Sequence, residues 1–137
     1  MNILVGYDGS NAAREALGLA KKHAMLLGAK VVVVNCMAQN RDLLYEDIRK
    51  VEQKLEGEVH SVFNSEKIPY ETHLVISAQD FGKDLVQFAE QNKADEIILG
   101  IRKKSKVGKL VFGSTAQYVI LHAPCTVVTV KWQAGEN

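Results

Sequence analysis

The sequence predicts an α/β fold, a three-layer sandwich in which helices cover both faces of a five-stranded parallel sheet. Strand-like and helix-like segments alternate five times along the chain, the pattern that produces parallel strands joined by helical crossovers. The strand-like segments, Lys30 to Cys36 above all, are continuous apolar runs of the kind that is buried on both faces. The 137 residues fit one domain spanning 1–137, long enough to bury a core without disulfide staples. A composition of 47% hydrophobic and 24% charged residues is that of a soluble globular chain. No apolar run approaches the ~20 residues that cross a bilayer. The opening MNILVGYDG reads as a strand rather than a signal peptide, so a cytoplasmic location is the expectation.

The elements follow in order. Asn2 to Tyr7 is the first strand, and Asp8-Gly9-Ser10 turns into a helix. Ala13, Ala16, Leu17, Ala20, Ala24 and Leu27 recur at helical spacing, and Gly28 is the stop signal. Lys30 to Cys36 is the second strand. Leu44, Ile48, Val51, Leu55, Val59 and Val62 form the stripe of a long helix from about Arg41 to Asn64. Pro69 marks the entry to a third strand, Tyr70 to Ile76. Ser77 and Asp80 have capping-box spacing, and Phe81, Leu85, Phe88 and Ala89 continue a helical face. Asp95 to Gly100 is the fourth strand. A helix follows from Ser114, and Cys125 to Lys131, behind Pro124, is the fifth strand.

Charge is unevenly spread. Between Ile97 and Gly135 there is no Asp or Glu, while Arg102, Lys103, Lys104, Lys106, Lys109 and Lys131 lie there. The rest of the chain carries 11 basic and 16 acidic residues. A basic segment on an acidic body points to an anionic partner. Cys36 and Cys125 have no second Cys or His at ligand spacing and read as reduced, packed thiols. The four histidines are scattered and read as surface or helix-dipole partners.

In a parallel sheet, ligands bind beyond the carboxyl ends of strands where the strand order reverses. Two carboxyl-end loops stand out: Asp8-Gly9-Ser10, and GIRKKSKVGKLVFGST from Gly100 to Thr115. The second is not a Walker A loop, since Gly108-Lys109 is followed by Leu110 and the earlier glycine position is Lys103. The first lacks the dinucleotide fingerprint, and neither a zincin motif nor a nucleophile elbow is present. The spacing that does fit, in part, is Gly, two residues, Gly, nine residues, Gly-Ser. Gly100 and Gly113-Ser114 match it, and Lys103 stands in the place of the middle glycine.

Those residues, with ILVGYDGS at the start, ADEIILG before the loop, GKLVFGSTAQYVI after it and HAPCTVVTV at the end, resemble the universal stress protein family of the small single-domain type over nearly the whole chain. The resemblance implies strand order 3-2-1-4-5, an adenine nucleotide alpha-hydrolase-like fold, and a homodimer through the last strand, Thr126 to Lys131. It implies ATP or AMP as ligand, with magnesium accompanying ATP. It places Asp8 at the nucleoside or metal, the Cys36 main chain at adenine, and Gly100, Arg102, Lys103, Gly113, Ser114 and Thr115 around the phosphates. Elementary physics agrees for Gly113 to Thr115: a helix start offers free N–H groups and a positive dipole end to an anion. Glycine at position 100 is expected to admit the ligand to the main chain.

Lys103 is the departure. A glycine takes positive φ freely, whereas a lysine does so at a cost. Its ammonium either folds over the phosphates or fills the pocket. The reading favours retained nucleotide or anion binding, hence a regulatory stress-response protein. The alternative is a dimeric interaction protein without nucleotide, whose basic loop docks an acidic partner. No residue is nominated as catalytic or as a dedicated metal ligand. Asp8 is the one carboxylate placed near the site, so at most a weak ATPase is expected. Nucleic acid is not the expected partner, because the basic loop has Phe112 as its one aromatic residue and no known module is present.

Overall fold

The computed structural model describes residues 1–103 and 113–133, without the side chains of Lys103 and Gln133. The elements are β1 (Asn2–Gly6), α1 (Asn11–Leu27), β2 (Lys30–Ala38), α2 (Tyr45–Phe63), a short 3-10 turn (Asn64–Glu66), β3 (Tyr70–Ser77), α3 (Phe81–Gln91), β4 (Glu96–Lys103), α4 (Ser114–His122) and β5 (Thr126–Gln133). The five strands form one sheet in the order β3-β2-β1-β4-β5, and every pairing is parallel. The alternation and order expected from the sequence are the ones observed.

Strand parity divides the core in two. Ile3, Val5, Tyr7, Val31, Val33 and Ile98 pack with α1 and α2 on one face. Leu4, Val32, Val34, Ile97, Leu99 and Ile101 pack with α3 and α4 on the other. The run Val31 to Val34 is apolar at every position because β2 lies inside the sheet and is covered on both sides.

Each helix has a local cause. Ser10 caps α1 by accepting the Ala13 N–H at 3.1 Å. Gly28 ends it in the left-handed conformation, φ 64°, where glycine bears no Cβ penalty. The buried face of α1 is nearly all alanine, with Leu17 the one larger residue, so its axis comes close to the sheet. Leu27, expected on that face, is exposed. Helix α2 begins at Tyr45, four residues later than the apolar stripe suggested. There the Asp47 carboxylate accepts the Leu44 N–H at 3.3 Å. The Ser77–Asp80 capping box does not form. Asp80 is the N-cap of α3 without a side-chain bond, and the Ser77 hydroxyl donates instead to Asp84 at 3.0 Å.

Glu96 is buried at the start of β4, 9% exposed. His23 of α1 meets its Oε1 at 2.6 Å. The pair is 73 residues apart in sequence, so no local pattern announces it. A buried carboxylate needs such a partner, and this one joins α1 to β4 near the amino edge of the sheet. Among the described residues, no helix is long and apolar enough to cross a membrane.

Candidate functional site

The strand order reverses at β1 and β4. From β1 the chain moves outward through β2 to β3, and from β4 it moves the other way to β5. A crevice is expected between the carboxyl ends of those two central strands, and a cavity of about 270 Å³ lies there. Its walls are Gly6 at the end of β1, Asp8 in the turn that follows, Ala13 of α1, Phe81 of α3, Leu99 to Ile101 of β4, and Gly113 to Ala116 at the start of α4. The volume is near the lower end of the ~300–1,000 Å³ common for small-molecule pockets.

Asp8 is placed by the turn that opens α1. One carboxylate oxygen accepts the Ser10 N–H at 2.9 Å, and Gly9 takes φ 82°, a value that suits glycine. Asp8 also borders a second, smaller cavity of about 170 Å³ on the α2 side, with Tyr7, Asn35, Lys54 and Glu58 in its wall. Tyr7 donates its hydroxyl to Glu58. Burial first, then that carboxylate, pushes the Tyr7 phenol up to about 12.

The opposite wall is the N-terminus of α4. Gly113 is the N-cap, with extended backbone at φ −67° and no capping side chain. The first intrahelical bond runs from Gln117 N–H to the Gly113 carbonyl at 3.1 Å. The preceding amides of Ser114, Thr115 and Ala116 are those that a helix leaves without an internal acceptor. Ser114 is the first helical residue rather than the cap. Among the described residues, nothing lies within 4 Å of a Cβ built on Gly113.

Gly100 lines the cavity, but the expected reason for a glycine there needs correction. A Cβ at that position would lie 2.0 Å from the Ala12 carbonyl oxygen and 2.8 Å from the Ala13 nitrogen. The missing side chain makes room for the first turn of α1 rather than for a ligand.

Lys103 also differs from expectation. Strand β4 does not end at Gly100 but continues to Lys103, which pairs with Gln133 of β5. The backbone is extended there, a conformation that any residue adopts, so no cost attaches to a lysine. Arg102 pairs with Trp132, its guanidinium lies 5.6 Å from the centre of that ring, and it is not among the described residues that line the cavity. Lys104, Lys106, Gly108, Lys109 and Phe112 lie outside the described residues.

Cys36 is not on the cavity wall. Its N–H donates to the Asn35 side chain at 2.8 Å, and its Sγ lies 3.5 Å from Asp84 Oδ2. Burial first, then the Asp84 carboxylate, pushes the thiol up to about 11. The thiol form therefore persists through neutral pH. Alkylation by iodoacetamide is expected to stay slow at pH 8 and to rise with a midpoint near 11. A midpoint near the free-thiol value of ~8.5 would contradict this environment.

Of the eight residues nominated from sequence, Asp8, Gly100, Gly113, Ser114 and Thr115 thus share one cavity. Sequence reasoning missed Gly6, Ala13, Phe81, Leu99, Ile101 and Ala116. Phe81 carried a signal, since it follows the turn after β3 at the carboxyl edge.

A doubly wound α/β sheet with a crevice at its switch point, walled by a helix N-terminus, defines a domain with the adenine nucleotide alpha-hydrolase-like fold. The model of the universal stress protein family matches residues 1–131, and the chain belongs to that family. A universal stress protein of Thermus aquaticus is 33% identical, over 94% of this chain and 97% of its own length. The solved structure of a universal stress protein from Archaeoglobus fulgidus is 36% identical, with a TM-score of 0.82, covering 96% of this chain and 98% of the other. A second structure, the universal stress protein from Archaeoglobus fulgidus in complex with dAMP, is 30% identical, with a TM-score of 0.76, covering 96% and 98% of the two chains.

Proposed function

We propose that this protein binds an adenine nucleotide, ATP or AMP, and acts as a homodimeric regulator in a stress response. The observation that carries the reading is the convergence of Asp8, Gly100 and the first turn of α4 on one open cavity. Helix-start amides and the Ser114 and Thr115 hydroxyls suit a phosphate, and Asp8 can accept from ribose hydroxyls. The relative solved with dAMP supports the same ligand class. With ATP, magnesium would accompany the phosphates, and Asp8 is the one carboxylate on the cavity wall among the described residues.

The dimer reading places Thr126 to Lys131 at the interface. β5 is an edge strand, rich in half-buried valines, and such an edge invites pairing with another chain. The role is binding rather than turnover, with at most a slow ATPase relying on Asp8.

Isothermal titration with AMP, ATP and ATP plus magnesium tests the ligand. Saturable binding at one site per chain is expected. An absence of heat, together with no thermal shift in millimolar ATP, would overturn the reading in favour of a dimeric docking protein for an acidic partner.

A further inference from the structure

The sheet ends in β5 on one side and in β3 on the other. The register of β3 with β2 runs unbroken from Tyr70 to Ser77, and no proline interrupts those residues. Two bonds fix which of its groups face outward. Val31 N–H donates to the Pro69 carbonyl at 3.0 Å, and Gln39 N–H donates to the Ser77 carbonyl at 2.9 Å. In a parallel pair, alternate residues turn both main-chain groups to the same side. The odd-numbered residues of β3 therefore face β2. Tyr70, Thr72, Leu74 and Ile76 turn their main-chain groups the other way, and among the described residues no strand pairs with them. Such an edge is a template for another strand.

A groove of about 380 Å³ lies beside this edge, lined by Thr72 and by Tyr45, Arg49, Glu52, Gln53 and Glu56 of α2. Glu56 accepts the Tyr70 hydroxyl at 2.8 Å and the Thr72 hydroxyl at 2.9 Å, so it stands level with residue 71. Helix α2 returns the chain from the carboxyl edge to the amino edge and runs antiparallel to β3. The midpoint between Arg49 and Glu56 lies about 5 Å back along the helix from Glu56, or roughly one and a half strand residues. That midpoint is level with His73, which is also the centre of the four outward-facing residues. A two-fold axis there turns Arg49 of each copy onto the opposite Glu56. It sets Thr72 against Leu74, and Tyr70 against Ile76, as hydrogen-bonded pairs. Glu71 then faces Val75, so no carboxylates meet across the ladder. The edge and its flanking helix are self-complementary in main chain and in charge.

We propose that the β3 edge is a self-recognition surface whose occupant is a second copy of this chain, paired antiparallel about an axis at His73, with Arg49 against Glu56 of the partner subunit. The contact rests neither on the nucleotide reading nor on pairing through β5. If both edges pair, the sheet continues from copy to copy as an open row.

Sedimentation velocity over a range of concentrations reads the association. Thr72→Pro removes an outward N–H and leaves the β2 ladder intact, since proline is tolerated on the free side of an edge strand. It is expected to lower the mass at least twofold, to the species that the β5 edge alone supports, with the far-ultraviolet circular dichroism unchanged. Arg49→Glu makes two attractive pairs repulsive and is expected to weaken association about tenfold, and adding Glu56→Arg to restore it. His73→Cys reads the register directly. Residue 73 meets its own mate in a non-hydrogen-bonded pair, with Cα atoms ~4.5 Å apart, within disulfide range. Mild oxidation is expected to give a covalent dimer there and none in Ile76→Cys, whose mates lie far from the axis; the wild type, with Cys36 and Cys125, is the blank. A wild type monomeric at every concentration, an unchanged mass in folded Thr72→Pro, or crosslinking of Ile76→Cys but not His73→Cys would overturn the proposal. If Thr72→Pro does not fold, the cysteine pair decides alone.

Discussion

Gly113→Val is expected to eliminate nucleotide binding in a protein that still folds. The backbone at Gly113 is extended, with φ −67°, so valine adopts it without strain. Among the described residues nothing lies within 4 Å of its Cβ, so an isopropyl group is accommodated at the cavity wall, next to the amides of Ser114, Thr115 and Ala116. Valine is a poorer N-cap than glycine, and the loss to α4 is about 1 kcal/mol, too little to unfold an ordinary domain. The affinity for AMP or ATP should fall by more than about tenfold, or ~1.4 kcal/mol. Calorimetry beside a thermal melt reads both effects. A valine variant with wild-type affinity would mean that the phosphates lie away from α4.

Gly100→Ala should act the other way, on the fold first. The added methyl would lie 2.0 Å from the Ala12 carbonyl oxygen, 2.2 Å from the Ala12 carbonyl carbon and 2.8 Å from the Ala13 nitrogen. These are backbone atoms, so no rotamer change removes the overlap, and α1 must shift from the sheet. Overpacking of this kind costs about 1–3 kcal/mol, and the backbone collision puts Gly100→Ala at the upper end. Denaturant unfolding should show a lower midpoint at an unchanged slope, and the melting temperature should fall by several degrees, roughly 2–8 °C per kcal/mol for domains near this size. Because Ala13 is also part of the cavity wall, nucleotide affinity should drop as well. A midpoint equal to that of the wild type would contradict the close contact between α1 and β4.

The architecture was legible because each layer left its period in the sequence. Val31 to Val34 is apolar at every step because both faces of β2 are covered, and the alanines of α1 recur at the helical interval. Strand ends were less legible. Arg102 and Lys103 continue β4, yet a polar pair at the tip of a strand, where covering helices give way to solvent, reads as loop. Strand β5 likewise runs past Lys131, to Trp132 and Gln133.

Part of the site was legible through spacing. Gly100, Gly113 and Ser114 were marked by their separation, and the chain path brings them to one cavity. The physical role of Gly100 was hidden, since its contact with Ala12 joins residues far apart in sequence. Asp84 was hidden for another reason. It follows Phe81 by three positions and precedes Phe88 by four, and so belongs to the core-facing stripe of α3, but a carboxylate there is read as surface until its donors are known. Those donors come from β2, β3 and the intervening turn.

The meeting of Gly100 with Ala12 also governs how this scaffold can diversify. Where two main chains touch without an intervening side chain, the seam admits no drift, because every replacement is larger than what it replaces. Position 113, where no described atom lies within 4 Å of an added Cβ, accepts a side chain at no more than the loss of a good helix cap. Descendants of this chain can therefore change the residue at the mouth by single steps, while the frame that presents that mouth stays fixed.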